Sequence, residues 1–277
     1  MRLRLNNFAS LPRCSRWRPA CCGAFTLIEM LVVLVIIGII AALALPHIRG
    51  NTESTAINAA CYQLVEDLSF ARQKAISQRS TVAVVFVSSN ILGNALGAPL
   101  YNAKEIARHK ELQGGVFTHY AFYSFRRAGE QPGNGTKGYI TEWKSLPEKT
   151  FIDPDMFSPG SIFWEDPSGT GRRVEKFAFP LTRENINGST SLPYLAFDYE
   201  GRCVKLTDSL TGTTELDGET NDIRIARGSI LFTRETDGRV LSGNYEVQQI
   251  PPYNATNNII RVDFLTGRAK RLELELK

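Results

Sequence analysis

The stretch from Gly23 to Pro46 reads GAFTLIEMLVVLVIIGIIAALALP, and nearly all of it is apolar. Between Phe25 and Leu45 it holds 21 residues with a single charge, that of Glu29. As an α-helix these residues would rise about 30 Å, which is the thickness of the hydrocarbon core of a membrane. The stretch therefore predicts a membrane-spanning helix over residues 25–45, which Pro46 interrupts.

The residues upstream of this stretch are basic. The first 24 residues contain no aspartate or glutamate, but they contain five arginines: Arg2, Arg4, Arg13, Arg16 and Arg18. Because positive charge marks the cytoplasmic side of a membrane helix, we expect the bulk of the chain to lie outside the cytoplasm. Without these five cations the formal charge of +4 becomes −1, which does not favour general binding to nucleic acid.

Three interpretations of the apolar stretch are open. It is a secretory signal cut after the ALA of residues 42–44, an uncleaved signal anchor, or a helix whose leader is cut off just before Phe25. An ionised glutamate inside lipid costs about 3 kcal/mol or more, so such residues tend to be paired and functional. Only the third interpretation offers Glu29 a positive partner, because it creates an amino group on Phe25.

The sequence AFTLIEMLVVLVIIGIIAALALP resembles the amino-terminal motif of type IV pilins and type II secretion pseudopilins. The resemblance implies that prepilin peptidase cuts after Ala24 and methylates the new amino group of Phe25, so that residues 1–24 are a leader. The usual residue before the cut is glycine, whereas here Gly23 stands one place early. In related filaments the fifth-position glutamate is thought to meet the amino terminus of a neighbouring subunit, which implies a role in assembly for Glu29.

The remainder of the chain predicts a helix followed by a β-rich head. Residues 46–80 form an amphipathic continuation of the helix, with apolar residues at spacings mostly of three and four. These apolar residues are Ile57, Cys61, Leu64, Leu68, Phe70, Ala71 and Ala75. Residues 81–277 predict a globular head of mainly antiparallel sheet, with a long variable insertion around residues 90–191. The predicted fold class is therefore α+β.

Four tetrapeptides in the head place glycine where a hairpin turn needs an unusual backbone angle. They are YEGR (199–202), ARGS (226–229), TDGR (236–239) and LTGR (265–268), and each is predicted to be a turn. The order of elements, with ARQKAISQRS, LAFDYEGR and IIRVDFLTGRAKR, resembles the H-type minor pseudopilins. That resemblance implies a pilin-like fold, with the long helix packed on the sheet.

Two charged segments are candidate binding sites. Asp217, Glu219 and Asp222 are oxygen ligands suited to calcium, but their spacing is not that of an EF-hand, and a solvated acidic hairpin is the favoured interpretation. Near the end of the chain stand Arg268, Lys270 and Arg271, and some minor pilins of DNA uptake bind DNA through basic residues near this end. Strand alternation would put Lys270 on the face of Arg268 and Arg271 on the other face.

The cysteines and histidines carry no recognisable chemistry. A cut after residue 24 would leave Cys61 and Cys203, for which two buried free thiols are favoured over a disulfide. The three histidines are His47, His109 and His119, and none stands in a nucleophile or HExxH motif. The sequence thus predicts a structural subunit and no enzyme or cofactor.

The expected role is that of a minor pseudopilin in a type II secretion pseudopilus that promotes protein export. Its expected partners are prepilin peptidase, other pilin or pseudopilin subunits, an inner-membrane assembly platform and secreted cargo. The subunit would cross the inner membrane once, with its head in the periplasm, before it joins the filament. The alternatives are a minor type IV pilin for adhesion or DNA uptake, and a signal-anchored periplasmic binding domain.

Overall fold

The computed structural model describes residues 26–92, 103–126, 129–130, 135–158, 161–163, 173–179, 189–208, 213–218, 221–236, 238, 240–252 and 258–272, and of residues 42–54 it gives the backbone. The chain divides into two compact units, Met1–Gly50 and Asn51–Lys277. Helix α1 (Leu27–Gln78) contributes residues to both units, and everything that follows it belongs to the second.

The second unit consists mainly of strands. A second helix, α2, spans Ala103–Gln113, and two short 3-10 helices span Ser89–Ile91 and Pro154–Phe157. The strands are β1 (Val82–Phe86), β2 (His119–Ser124), β3 (Gly138–Tyr139), β4 (Lys144–Ser145), β5 (Thr150–Ile152), β6 (Val174–Ala178), β7 (Ser189–Phe197), β8 (Cys203–Asp208), β9 (Thr213–Leu216), β10 (Asn221–Arg234), β11 (Val240–Gln249), β12 (Ile259–Val262) and β13 (Ala269–Leu272).

These strands form two antiparallel sheets. The first sheet has the order β3-β2-β1-β7-β8-β9, with β4 also paired to β2 and β6 also paired to β7. The second sheet has the order β11-β10-β12-β13, with β5 also paired to β10. The prediction of an α+β fold with a mainly antiparallel head is therefore confirmed.

Strand β1 lies at the centre of the first sheet and is buried on both faces. Val82, Val84 and Phe86 join the core cluster that includes the apolar stripe of α1, whereas Ala83 and Val85 join a second cluster on the opposite face. A β-branched run with no polar residue is typical of such a doubly buried strand.

The apolar stripe predicted on the second half of α1 is largely confirmed. Five of its seven residues are fully buried: Cys61, Leu64, Leu68, Ala71 and Ala75. Ile57 packs partly buried against the same cluster. Phe70 is the exception, because its side chain is 36% exposed and its ring lies 5.4 Å from that of Phe122 at the edge of the core.

The region of residues 90–191 contributes directly to the head. Its strand β2 pairs with β1 over the whole length of β1, from Val82 opposite Ser124 to Phe86 opposite Tyr120. Leu112 of this region also lies in the second core cluster, which covers the face of β1 turned away from α1. The region thus supplies a central strand and part of the layer that covers it.

Three of the four predicted hairpin turns are confirmed. Gly201, Gly238 and Gly267 lie between β7 and β8, β10 and β11, and β12 and β13, with φ angles of +81°, +84° and +62°. Such angles are in the left-handed region, which glycine enters without the steric cost of a Cβ.

The fourth prediction, a turn at ARGS, is wrong. Gly228 lies inside β10, which pairs with β5 up to Arg227 and with β11 from Gly228 onwards. A Cβ at Gly228 would clash with the backbone carbonyl oxygen of Gln248 on β11. Glycine is needed here because two backbones approach closely, not because the chain reverses.

Candidate functional site

The start of α1 is capped by Thr26. The backbone carbonyl of Thr26 accepts hydrogen bonds from the N–H groups of Glu29 (3.1 Å) and Met30 (3.2 Å), and its hydroxyl Oγ1 also accepts from the Glu29 N–H at 3.3 Å. This is the bonding of a helix N-cap, and threonine three residues before glutamate is the spacing of a capping box. Thr26 and Glu29 stand at this spacing in the sequence, so the signal for the cap is local, but the cap was not among the features predicted from the sequence.

The first turns of α1 expose apolar side chains in every direction. Their exposed fractions range from 42% for Val33 to 85% for Leu27. The exposed residues are Leu27, Ile28, Met30, Leu31, Val32, Val33, Leu34, Val35, Ile36, Ile37, Ile39 and Ile40. Consecutive helix residues point about 100° apart, so this surface has no polar side, and such a helix is stable only when other apolar groups cover it.

Glu29 is the charged side chain within residues 26–41, and it is exposed. The predicted processing residues Gly23, Ala24 and Phe25 lie outside the described residues. Across the part of the chain that the structure describes, no helix combines the length and hydropathy that crossing a membrane requires.

The comparison with protein families assigns this segment to a class. A model of the prokaryotic N-terminal methylation motif matches residues 20–45, which include Thr26, Glu29 and the exposed apolar helix. Residues 20–45 therefore carry the methylation motif that is the amino-terminal signature of type IV pilins and pseudopilins. No curated protein and no solved structure matches the chain.

The acidic segment places Asp217 in a buried ion pair. Asp217 is fully buried and its carboxylate contacts the guanidinium of Arg173, which is 3% exposed. The Nδ2 group of Asn221 donates to Asp217 Oδ2 at 3.2 Å, and Lys205 Nζ lies 3.7 Å from Oδ1. These partners compensate the cost of burying the carboxylate.

The other two calcium candidates do not join Asp217. Asp222 accepts two hydrogen bonds from Arg261, at 2.7 Å from Nε and 2.6 Å from Nη2, and Glu219 lies outside the described residues. Within the described ranges no group of three or more metal-ligating side chains occurs. The favoured interpretation of a solvated acidic hairpin is wrong at Asp217, because that side chain is fully buried. Calcium binding, the less favoured hypothesis, is untested, and it would require Asp217 to exchange Arg173 for a cation.

The basic segment at the end of the chain is divided between two faces. Arg268 and Lys270 are exposed, whereas Arg271 donates from Nη1 to Asn58 Oδ1 on α1 at 2.7 Å and from Nη2 to Asn258 Oδ1 at 3.1 Å. The alternation expected from strand geometry is present. Arg271 thus ties β13 to α1, a role that spacing in the sequence did not indicate.

A polar network joins α1 to the first sheet. Asp67 on α1 accepts a hydrogen bond from the Tyr120 hydroxyl at 2.5 Å and lies 2.6 Å from Lys144 Nζ, while Gln63 Nε2 donates to Tyr120 at 2.9 Å. Burial and the bond to Asp67 raise the pKa of Tyr120 above its ordinary value. Because these groups satisfy one another, the network fastens the helix to the sheet.

The two cysteines of the head are free and fully buried. Burial raises the pKa of the Cys61 thiol, and it raises that of Cys203 to about 12. A thiol with such a pKa is inert at neutral pH because the reactive species is the thiolate. The interpretation of these residues as buried free thiols is confirmed.

Proposed function

We propose that this chain is a minor pseudopilin, a structural subunit of a type II secretion pseudopilus. Prepilin peptidase removes residues 1–24 and methylates the amino group of Phe25. Before assembly, residues 25–45 cross the inner membrane, with the amino terminus in the cytoplasm and the head in the periplasm. After assembly, the same residues lie in the core of the filament. An inner-membrane platform drives the transfer of the subunit from the membrane into the filament.

The exposed apolar surface of α1 is the observation that supports this proposal. Burying one leucine or isoleucine side chain stabilises a protein by roughly 1.5–3 kcal/mol, so removing the apolar side chains of residues 27–40 from water would be strongly favourable. Lipid would cover these side chains in the membrane, and the helices of neighbouring subunits would cover them in a filament. The match to the N-terminal methylation motif covers residues 20–45, which include this apolar surface, and it supports the proposal.

In this proposal Glu29 favours assembly by pairing with a positive charge. A carboxylate within an apolar helix is costly until a positive group approaches, and the amino group of Phe25 on a neighbouring subunit is the proposed partner. The amine of the same chain is four residues away and competes for this role. If the pair forms between subunits, the Glu29 carboxylate and the Phe25 amino group neutralise each other only when the filament assembles.

The Glu29→Gln variant tests this pairing. Glutamine preserves the length of the side chain and is also accepted in a capping box, so the variant removes the charge and leaves the helix start intact. We expect loss of filament assembly with normal membrane insertion, measured by subunit crosslinking. Glu66→Gln, an exposed carboxylate farther along α1, is the matched control. Normal assembly of Glu29→Gln would refute the pairing.

The amino-terminal residue and mass of the mature protein test the proposal as a whole. Methylphenylalanine from position 25 is the expected result. A mature chain that begins at Leu45 would indicate a conventional secretory signal instead. A chain that retains Met1 would indicate a signal anchor and a periplasmic binding domain.

A minor type IV pilin for adhesion or DNA uptake is the second candidate. Arg268 and Lys270 are the observation that favours it, because both are exposed on the β12–β13 hairpin. Lysine and arginine contacts to phosphate weaken steeply as salt rises. DNA binding over a salt series should fall when both residues are changed to glutamate, and should persist in Lys176→Glu, an exposed control. Equal binding by all three proteins would exclude this site.

A further inference from the structure

The β10–β11 hairpin has a free strand edge. Strand β10 pairs with β5 up to Arg227, and its residues from Gly228 to Phe232 pair with β11. Within the described residues β11 pairs with β10 alone, so its other edge has no neighbouring strand. Such an edge offers a row of backbone N–H and C=O groups to a further strand, and proteins commonly protect it with lysine, proline or a bulge.

The register shows which residues of β11 form this edge. The N–H of Ile250 bonds to the carbonyl of Arg227, so the next pair, Gly228 and Gln249, is not hydrogen-bonded. Hydrogen-bonded and non-hydrogen-bonded pairs alternate along an antiparallel ladder. The odd-numbered residues of this part of β11 therefore direct their backbone N–H and C=O groups away from β10. These residues are Tyr245, Val247 and Gln249.

The edge lacks the usual protection. Residues 245–249 include no lysine and no proline, and Pro251 stands just beyond them. In the described part of the chain, no backbone carbonyl accepts from the three outward N–H groups. One face of the hairpin packs on the second core cluster through Tyr245 and Val247. The opposite face is exposed at Leu231, Glu246 and Gln248.

We propose that β11 of a second copy of this chain pairs antiparallel with this edge, about a twofold axis at Val247. In that register Tyr245 lies opposite Gln249 of the other copy, and Glu246 lies opposite its Gln248. The outward residues are spaced evenly about Val247, so each of their N–H groups meets an outward carbonyl. Addition of a strand to a sheet edge is an established mode of recognition, and a surface that fits its own copy gives a twofold dimer.

The side chains favour this register over its neighbours. A shift that centres the pair on Glu246 sets two carboxylates directly opposite each other, which is destabilising. A shift that centres it on Gln248 carries Tyr245 to Pro251, whose nitrogen has no hydrogen to donate. In the register centred on Val247 each Glu246 faces the amide of Gln248. The same two side chains are already bonded within one strand, where Gln248 Nε2 donates to Glu246 Oε1 at 3.3 Å.

The experiment measures amide exchange of the full-length chain at several protein concentrations, in detergent micelles that cover the apolar part of α1. The amides of Glu246 and Gln248 bond β10 and should exchange slowly at every concentration. The amides of Tyr245, Val247 and Gln249 should exchange fast in dilute protein. They should slow by about tenfold once roughly nine in ten chains are paired, because only unpaired chains then exchange. Sedimentation of the same samples should show a dimer.

Two variants of one exposed residue test the register. Gln248→Glu sets like charges opposite each other on both sides of the axis and should weaken the dimer by about fivefold. Gln248→Lys sets opposite charges there and should strengthen it by about as much. Gln73→Glu, the same chemical change at an exposed position on α1, is the matched control and should leave association unchanged.

Three results would overturn the proposal. The first is a chain that stays monomeric with the outward amides unprotected. The second is a dimer in which those amides stay unprotected or which both Gln248 variants leave unchanged, because the copies would then meet through another surface. The third is protection of the outward amides at every dilution, because the chain itself would then cover the edge. None of these results bears on the proposed processing, which the mass of the mature chain tests separately.

Discussion

Gly201 and Gly267 lie back to back, so closely that a Cβ on Gly267 would clash with the carbonyl oxygen of Gly201. The two residues belong to hairpin turns of different sheets. Arg72 on α1 joins them, because its Nε donates to the carbonyl oxygens of Gly201 at 3.1 Å and Thr266 at 2.7 Å. The helix and both sheets therefore meet at one point, which only residues without side chains can occupy.

Substitution of Gly267 tests this junction against a matched glycine. Gly267→Ala adds a Cβ at a φ of +62° and in contact with Gly201, so we expect a loss of about 3 kcal/mol or more in the free energy of unfolding. Gly238→Ala has a similar φ of +84° but open space around it, and should cost only about 1–2 kcal/mol. Urea unfolding followed by circular dichroism measures both, and equal losses would contradict the close packing.

The two arginine-paired aspartates should differ sharply in their contribution to stability. Removing one member of a buried pair leaves an uncompensated charge, so Asp217→Asn should lower the free energy of unfolding by about 3–5 kcal/mol. Asp222→Asn breaks a pair with the partly exposed Arg261 and should cost less than about 1 kcal/mol.

Thermal melting with calcium and with a chelator tests the calcium hypothesis. A chelator-sensitive melting temperature in the wild type, absent from both variants, would show that these aspartates bind calcium.

His109 on α2 should make the head less stable in acid. It is 1% exposed, its ring lies edge-on to Phe179 at 5.4 Å, and burial lowers its pKa from 6.5 to about 4. Between pH 6.5 and about 4, His109 therefore binds a proton in the unfolded chain but not in the folded chain. Stability should fall as pH drops from 6.5 towards 4, by about 3 kcal/mol from this residue, and change no further below that.

His109→Gln is the variant that tests this dependence. Glutamine does not titrate, so the difference in unfolding free energy between pH 7 and pH 4 should shrink by about 3 kcal/mol relative to the wild type. His119, whose pKa burial also lowers, should leave a remainder of the same sign. An unchanged pH profile in the variant would show that the pKa of His109 is the same in the folded and the unfolded chain.

The thiols of Cys61 and Cys203 should react only after unfolding. Both are fully buried and burial raises the pKa of each, so an alkylating reagent at pH 8 meets neither an exposed sulfur nor a thiolate. Peptide mapping should show both cysteines unmodified in the native head and both modified in urea. Modification of neither in urea without a reductant would reveal a disulfide.

The sequence predicted the elements whose causes are local. The apolar run after Ala24 can be recognised from its own residues alone. The family match over residues 20–45 includes that run. The turns at Gly201, Gly238 and Gly267 follow from backbone angles, which neighbouring residues control.

Other features depended on which residues the fold brings together across long separations. Gly228 stands in a sequence typical of a turn, but it is required because the backbone of β11 approaches it closely. Arg271 stands next to other basic residues in the sequence, but it donates a hydrogen bond to Asn58, which is 213 residues away along the chain. Asp217 likewise meets Arg173 only through pairing of distant strands. An apolar helix with one carboxylate and a threonine cap can be read from adjacent residues alone. Which charges and glycines of the head are structural depends on the fold, because burial and partners arise only when the sheets and the helix pack.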